Sequence, residues 1–417
     1  MFKKVSAVVF TSLMLGALAG CGGTSSIASS SSSAASSAPS SSAAPTPVEL
    51  KVWGPDLEQD LLNEMSVSFQ ELHPEWDITF TFGTVSEANL KATLLTDVSA
   101  GADVFAFADD QLAELVSAGA LFEVQQFKTD VTARNTAGSV ASATFNNKLY
   151  AYPETADNGY FMYYDSSVLT LEQAGSLDTI LDVAESLGKK VNFPSAGGWI
   201  GGSFFLNDAS SVTFDGTTQT CDWATTGLPA AQGAWNTLGR PGISNADQND
   251  AATLFTAGSI IAAFTGTWMA TDVEAALGAN YAATKLPTYT NGNNEQVQLG
   301  SFTGSKLIGV KSTTAYPLAA HAFANYITNE ENQVLRFTTR GLGPSNIAAG
   351  QNEAITSNVA LAALAAQAPY GVSQSTSVGG SYWTPAASFL DLCYNQDLGE
   401  YATLQAALEA MVTQILA

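Results

Sequence analysis

Three of the tryptophans stand where glycines open the chain beside an element boundary. Trp199 sits in SAGGWIGG (195–202), and Trp268 follows Gly266 directly after an apolar run. Trp383 follows GGS (379–381) just ahead of Pro385, as in a first helical turn. A large ring at such a point presents a flat apolar face and one N–H donor to an adjoining cleft. A pyranose presents the complement, a face of C–H bonds edged by hydroxyls. Planar carboxylates and amides beside the rings would hold those hydroxyls. Trp76 and Trp223 lack a neighbouring glycine hinge and Trp235 falls in a helical pattern, so these three are expected in the core. Catalytic chemistry has little to stand on. The only histidines are His73, ahead of Pro74 in a loop, and His321, in an alanine-rich helix. No Ser-His-Asp set, GxSxG elbow, HExxH, P-loop or GxGxxG can be assembled, and no catalytic, cofactor or metal site is expected. Paired carboxylates would serve a glycosidase. Among 38 acidic residues, however, two that are close in sequence say almost nothing.

The elements that must position these groups alternate in type. ELKVW (49–53) reads as a strand. Leu57, Leu61, Met65, Phe69 and Leu72 then share one helical face, and Ile78, Phe80 and Phe82 alternate as a second strand. Thr84-x-x-Glu87 has the form of a capping box, opening a helix through Leu90, Leu94 and Leu95. DVFAF (103–107) is a third strand, followed by a helix from Asp110 that stops at Gly119. Strands each followed by a helix imply a parallel sheet with right-handed crossovers, and open sheets of that kind bind ligands beyond their carboxyl ends. Trp53 and Asp56 lie there after the first strand, Phe107, Asp109 and Asp110 after the third, so aromatics and carboxylates share one rim. The alternation returns with a helix over 176–187 and strands at 191–193, 259–264, 281–286 and 306–310. From Pro317 the pattern is mainly helical, including 355–366, a segment after Trp383, and 403–416.

The N-terminus bears on location. Lys3-Lys4, an apolar run over 5–19 and small residues at its end fit a cleaved export signal better than a membrane span, which needs about 20 apolar residues. Leu18-Ala19-Gly20 followed by Cys21 resembles the lipobox of bacterial lipoproteins. That resemblance implies removal of residues 1–20 and diacylglycerol on the Cys21 thiol. Residues 22–47 are almost entirely Ser, Ala, Gly, Thr and Pro, and bury too little apolar surface to offset their ordering entropy. With Cys21 they are expected to form a disordered tether over 21–47. The roughly 370 residues that remain exceed a single core and argue for two lobes. A net charge of −23 disfavours nucleic acid and anionic lipid as partners, so the lipid would hold the protein to the membrane without help from charge. Cys221 and Cys393 would pair only if the fold brings them together, and two buried thiols is the simpler expectation.

From about Val48 onward the chain resembles the extracellular solute-binding proteins of bacterial ABC importers, in particular the maltose/maltodextrin-binding type. The stretches that carry the likeness are LKVWGPD (50–56), ADVFAFADDQLAELVSAGAL (102–121), NNKLYAYPETADNGYFMYYDSSVL (146–169), FTAGSIIAAFTGTW (255–268), residues 300–310, and GGSYWTPA (379–386). The resemblance implies an α/β, two-lobed fold, each lobe a largely parallel sheet flanked by helices, with a hinge and an interlobe cleft that closes on sugar. Lobe 1 would comprise 48–155 and 304–345, and lobe 2 156–303 and 346–417, with crossings near 154–158, 301–305 and 345–351. It also implies a ligand-binding set. Asp157 takes the place of a sugar-binding carboxylate, Asp56 and Asp110 match two more, and Glu154 and Asn158 share the cleft floor. Phe107 sits where the family often has a tryptophan plate, Trp199 stands near a stacking aromatic, and Trp268 and Trp383 match two others, with Trp53 on the rim. Gln111 departs from the basic residue of the best-known member, and Phe107 is a smaller plate, so both bear on glycan identity and length.

The expected protein is a non-enzymatic, monomeric lipoprotein on the outer face of the cytoplasmic membrane. It would capture an oligosaccharide, foremost a maltooligosaccharide or other α-1,4-glucan, for the permease subunits of an ABC importer. The alternatives are a secreted glycoside hydrolase acting on similar glycans, a binding protein for a different oligosaccharide, and a tethered scaffold or adhesin.

Overall fold

A computed structural model describes residues 44–206 and 211–417. The expected signal, Cys21 and the tether up to residue 43 lie outside the described residues. Thr46 and Pro47, expected at the end of the tether, already belong to the first strand, Thr46–Gly54.

Two five-stranded sheets organise the chain. The first has the order Trp76–Thr84, Thr46–Gly54, Val104–Ala108, Lys306–Val310, Ala151–Pro153. Its first three strands are parallel, and Lys306–Val310 runs antiparallel to both of its neighbours. Val48, Leu50 and Val52 are buried on alternate positions, whereas residues 104–107 are buried on both faces, as a central strand covered by helices must be. The helix Gln59–Leu72 buries Leu61, Leu62, Met65 and Phe69. Leu57 and Leu72, expected on the same stripe, are exposed. Leu57 belongs to the 3-10 turn Asp56–Glu58, whose tighter winding breaks the 3.6-residue phase, and Leu72 is the last helical residue. The expected capping box does not form either. Thr84 ends its strand, Ser86 precedes the turn Glu87–Asn89, and the helix proper is only Leu90–Leu94.

The second sheet has the order Ile243–Ser244, Lys190–Asn192, Ile260–Thr265, Phe161–Asp165, Tyr281–Thr284. Its first three strands are again parallel and the other two pairings antiparallel. Ile260–Thr265 is buried at every position. The helices Leu177–Ser186 and Leu404–Ile415 start on the side-chain caps Ser176 and Thr403. With Trp383–Asn395 they close one face of this lobe's core. Trp223 is buried there, stacked 4.6 Å from Phe205, and Trp235 packs half-buried against the same core. Trp76 lies on the first lobe, 6.3 Å from the Phe69 ring. Cys221 and Cys393 are free thiols, the second buried and the first half-buried. No helix among the described residues is long and apolar enough to cross a membrane.

The chain passes between the sheets at 154–160, between Thr303 and Lys306, and after Arg340. These passages are tied together by backbone bonds. Glu154 N–H donates to Lys306 O (2.9 Å), Ala156 N–H to Gly343 O (3.0 Å) and Asn158 N–H to Gly304 O (3.2 Å). The aromatics of 149–164 divide across the first passage, Tyr152 entering one core and Tyr160 and Tyr164 the other. Such a bundle of short extended segments is where two rigid lobes can rotate against each other.

Candidate functional site

Each parallel strand of the first sheet ends in a 3-10 turn on the same side of the lobe: Asp56–Glu58, Glu87–Asn89 and Asp109–Gln111. The second lobe faces them with the residues that follow its own parallel strands. Gly197 and Trp199 follow Lys190–Asn192, residues 247–249 follow Ile243–Ser244, and Trp268 follows Ile260–Thr265. Gln374 and Trp383 complete the wall from the C-terminal segment, around a cleft of about 730 Å³. Ligand sites of α/β sheets form at such carboxyl ends, and here two sheets offer theirs to one space.

The aromatic part of the cleft is held in place by the protein itself. The Trp199 and Trp268 rings lie 5.8 Å apart at 36° to each other, and Trp383 stands edge-on to Tyr382 and Phe302 at 5.0 and 5.8 Å. Trp199 Nε1–H donates to Gln374 Oε1 at 2.6 Å and Trp268 Nε1–H to Asn249 Oδ1 at 3.2 Å, so neither ring is free to turn. Gly266 is required for this, because a Cβ there would fall 1.9 Å from the Trp268 ring. Gly198, ahead of Trp199, has φ +73°, the left-handed region that glycine adopts without strain.

The polar part is mostly acidic. Asp56, Glu58, Glu87, Asp110 and Asp247 line the cleft with Asn89, Gln111, Asn158, Asn249 and Gln374, against the cations Lys306 and Arg340. Lys306 Nζ pairs with Glu87 at 3.1 Å and lies 5.7 Å from the centroid of Trp268, so a cation of one lobe sits over a plate of the other. Burial pushes the Asp110 carboxyl up to about 6, although a hydrogen bond from Gln374 and the charge of Lys91 pull the other way. Gln111 accepts Lys91 N–H at 2.8 Å and donates to Glu87 O at 2.7 Å, which fastens two of the turns together.

Of the residues singled out from sequence, Asp56, Asp110, Asn158, Trp199, Trp268 and Trp383 line the cleft. Four others do not. Phe107 is fully buried in the central strand, and Ala108 reaches the cleft instead. Trp53 lies half-buried over Gly83 of the neighbouring strand, with Lys51 Nζ 5.0 Å from its ring. Glu154 is buried 2.9 Å from Arg336 Nη2, and Arg336 Nε also bonds Glu58 at 3.1 Å. Burial raises the Glu154 carboxyl to about 8 against the pull of Arg336. Asp157 Oδ2 accepts both Thr267 Oγ1–H and Gly343 N–H, which joins the second lobe to the third crossing. Both acids thus help to join the hinge segments, although Asp157 Oδ1 is buried without a partner beside a second, smaller pocket that it lines with Asn158. The cleft also holds Glu87, Lys306, Gln374, Asn249 and Arg340. In sequence Glu87 has the form of a capping acid and Lys306 that of a strand residue, while nothing in the local pattern marks Gln374, Asn249 or Arg340. Among the described residues no His, Cys, Asp and Glu cluster could hold a metal ion.

The pattern of bacterial extracellular solute-binding proteins matches residues 64–363. The chain belongs to that family. Solved structures share its fold over nearly their whole length. One determined with acarbose is 27% identical with a TM-score of 0.79, the alignment covering 88% of this chain and 98% of the other. The maltodextrin-binding protein MalE1 of L. casei BL23, without ligand, is 21% identical with a TM-score of 0.75, covering 88% and 99%. The maltotriose-binding protein of Thermus thermophilus, bound with maltotriose, is 18% identical with a TM-score of 0.73, covering 88% and 98%. No curated protein sequence matches this one.

Proposed function

We propose that this solute-binding protein captures an oligosaccharide, foremost an α-1,4-linked glucan, between its lobes and passes it to the permease of an ABC importer without chemical change. The observation that carries the reading is the set of three tryptophans, two of them fixed through their ring N–H groups, around a cleft edged with carboxylates and amides. Flat apolar faces with hydrogen-bonding groups at their edges are what pyranose rings require. The likeness to structures containing acarbose and maltotriose supports the same ligand class. The protein would act as a monomer at the outer face of the cytoplasmic membrane, held by lipid on Cys21. Isothermal titration and thermal shift across malto-, xylo-, fructo- and galacto-oligosaccharides test the reading, since a ligand of the folded state stabilises it by RT ln(1 + [L]/Kd). Shorter products after incubation with maltooligosaccharides would make the protein a hydrolase. No shift with any soluble sugar would leave a scaffold.

A further inference from the structure

On one flank of the cleft the lobes touch each other directly. Glu114, in the first-lobe helix Leu112–Ser117, accepts Gly380 N–H of the second lobe on Oε1 at 3.0 Å. Its Oε2 holds Lys91 Nζ at 2.8 Å. The approach is close enough that a Cβ at position 380 would lie 2.7 Å from Glu114 Oε1 and 2.9 Å from Lys91 Nζ. Gly380 belongs to the short run that leads into Trp383. A few residues earlier, Gln374 bonds Trp199 Nε1–H and reaches the Asp110 carboxyl of the opposite lobe. Neither Glu114 nor Lys91 lines the cleft.

We infer that the Glu114–Gly380 contact is a clasp that sets the closed population of this protein. Glu114 is then a positioning residue that tunes affinity without touching ligand, given the cleft as the sugar site proposed above. A contact between lobes exists only while they are together, so it favours the closed state alone. A ligand that needs the closed state binds with an apparent Kd equal to the intrinsic value divided by the closed fraction. The bond is charge-assisted, which strengthens it, but the Lys91 and Glu114 side chains are 23% and 36% exposed, which limits it and subjects it to salt. The same contact orders the segment carrying Trp383, so closure and plate placement arrive together.

The test titrates wild type, Glu114→Ala, Glu114→Gln and Lys91→Met with maltotriose, with stopped-flow dissociation and solution scattering of the sugar-free forms. Glu114→Ala should weaken binding about three- to tenfold, chiefly through faster dissociation, and enlarge the sugar-free radius of gyration. Glu114→Gln keeps an acceptor for Gly380 N–H and should recover part of the loss. Because maltotriose is uncharged, wild-type affinity should fall with added salt, and this dependence should shrink in Lys91→Met and Glu114→Ala. Glu114→Ala that binds, dissociates and scatters like wild type overturns the clasp. If wild type itself does not bind maltotriose, the sugar reading fails separately, and the sugar-free scattering of Glu114→Ala against wild type still decides the clasp.

Discussion

Two sets of carboxylates look alike in sequence and differ in the folded protein. Glu154 and Asp157 lie on the first crossing and are engaged by the protein itself, Glu154 by Arg336 and Asp157, through Oδ2 alone, by Thr267 Oγ1–H and Gly343 N–H. Asp56 and Asp110 lie on turns at strand ends and face the open cleft. The first set holds the molecule together at its joint, and the second remains available to a hydrogen-bonding ligand. A carboxylate's role is thus decided less by its place in a motif than by how many donors the protein already gives it.

The sharpest way to break this contrast is at Arg336. Replacing it by Met would leave Glu58 and Glu154 buried beside each other without their directly bonded cation, with only Lys306 nearby, at a cost of about 3–5 kcal/mol. Urea unfolding should show the loss to be larger at pH 8 than at pH 6, because protonation of Glu154 relieves the repulsion. Equal stability to wild type would mean that the hinge acids are not held as described.

In the cleft the largest effects should come from the plates. Trp268→Ala and Trp383→Ala each remove an apolar contact worth very roughly 1.5–3 kcal/mol, about a 10- to 150-fold loss in Kd by calorimetry. Trp235→Ala, in the core of the second lobe, should instead lower the melting temperature and leave the affinity of the folded fraction nearly unchanged. Wild-type affinity in folded Trp268→Ala and Trp383→Ala would return both rings to a packing role.

Next in size is a pH effect at Asp109, whose buried carboxyl is pushed up to about 7 by its desolvation. The unfolded chain has given up this proton above about pH 4 while the folded chain keeps it, so stability falls as pH rises through that interval. Asp109→Asn should flatten the fall in melting temperature between pH 5 and pH 8. A profile parallel to wild type would show that the group titrates normally. The smallest effect is expected at Asp157. The amide oxygen of Asp157→Asn can still accept from Thr267 and Gly343, so a loss of about 1 kcal/mol in stability is expected. An unchanged ranking of sugars would follow from its place in the hinge region, whereas a changed ranking would return it to the cleft.

The order of elements was legible because it rests on local pattern. The strand Lys306–Val310 and the helix Leu404–Ile415 fall where alternation and helical spacing put them, give or take a residue. Trp199, Trp268 and Trp383 were found because a glycine beside a large ring marks an element boundary, and boundaries at strand ends face clefts. Phe107 was misplaced for a physical reason. The apolar run 104–107 is buried on both faces, so its last aromatic is as deep as its first, and no alternation shows where the rim begins. Gln374 was invisible because its importance comes from Trp199 and Asp110, one distant in sequence and one on the other lobe. Glu154 and Asp157 share a motif with cleft residues, and only the position of Arg336 and Gly343, both far along the chain, separates them.

The antiparallel strand at 306–310 carries one more consequence. It fills the place between Val104–Ala108 and Ala151–Pro153, so the first lobe lacks an interior strand until most of the second has been synthesised. The second lobe in turn takes two of its covering helices from residues beyond 380. A growing chain therefore carries two unpaired sheet edges for a long stretch, the kind of surface that pairs wrongly if folding starts early. The lobes are interleaved, and no single cut separates them. Limited proteolysis at any one loop should yield fragments that remain associated or unfold together, and never a free folded lobe.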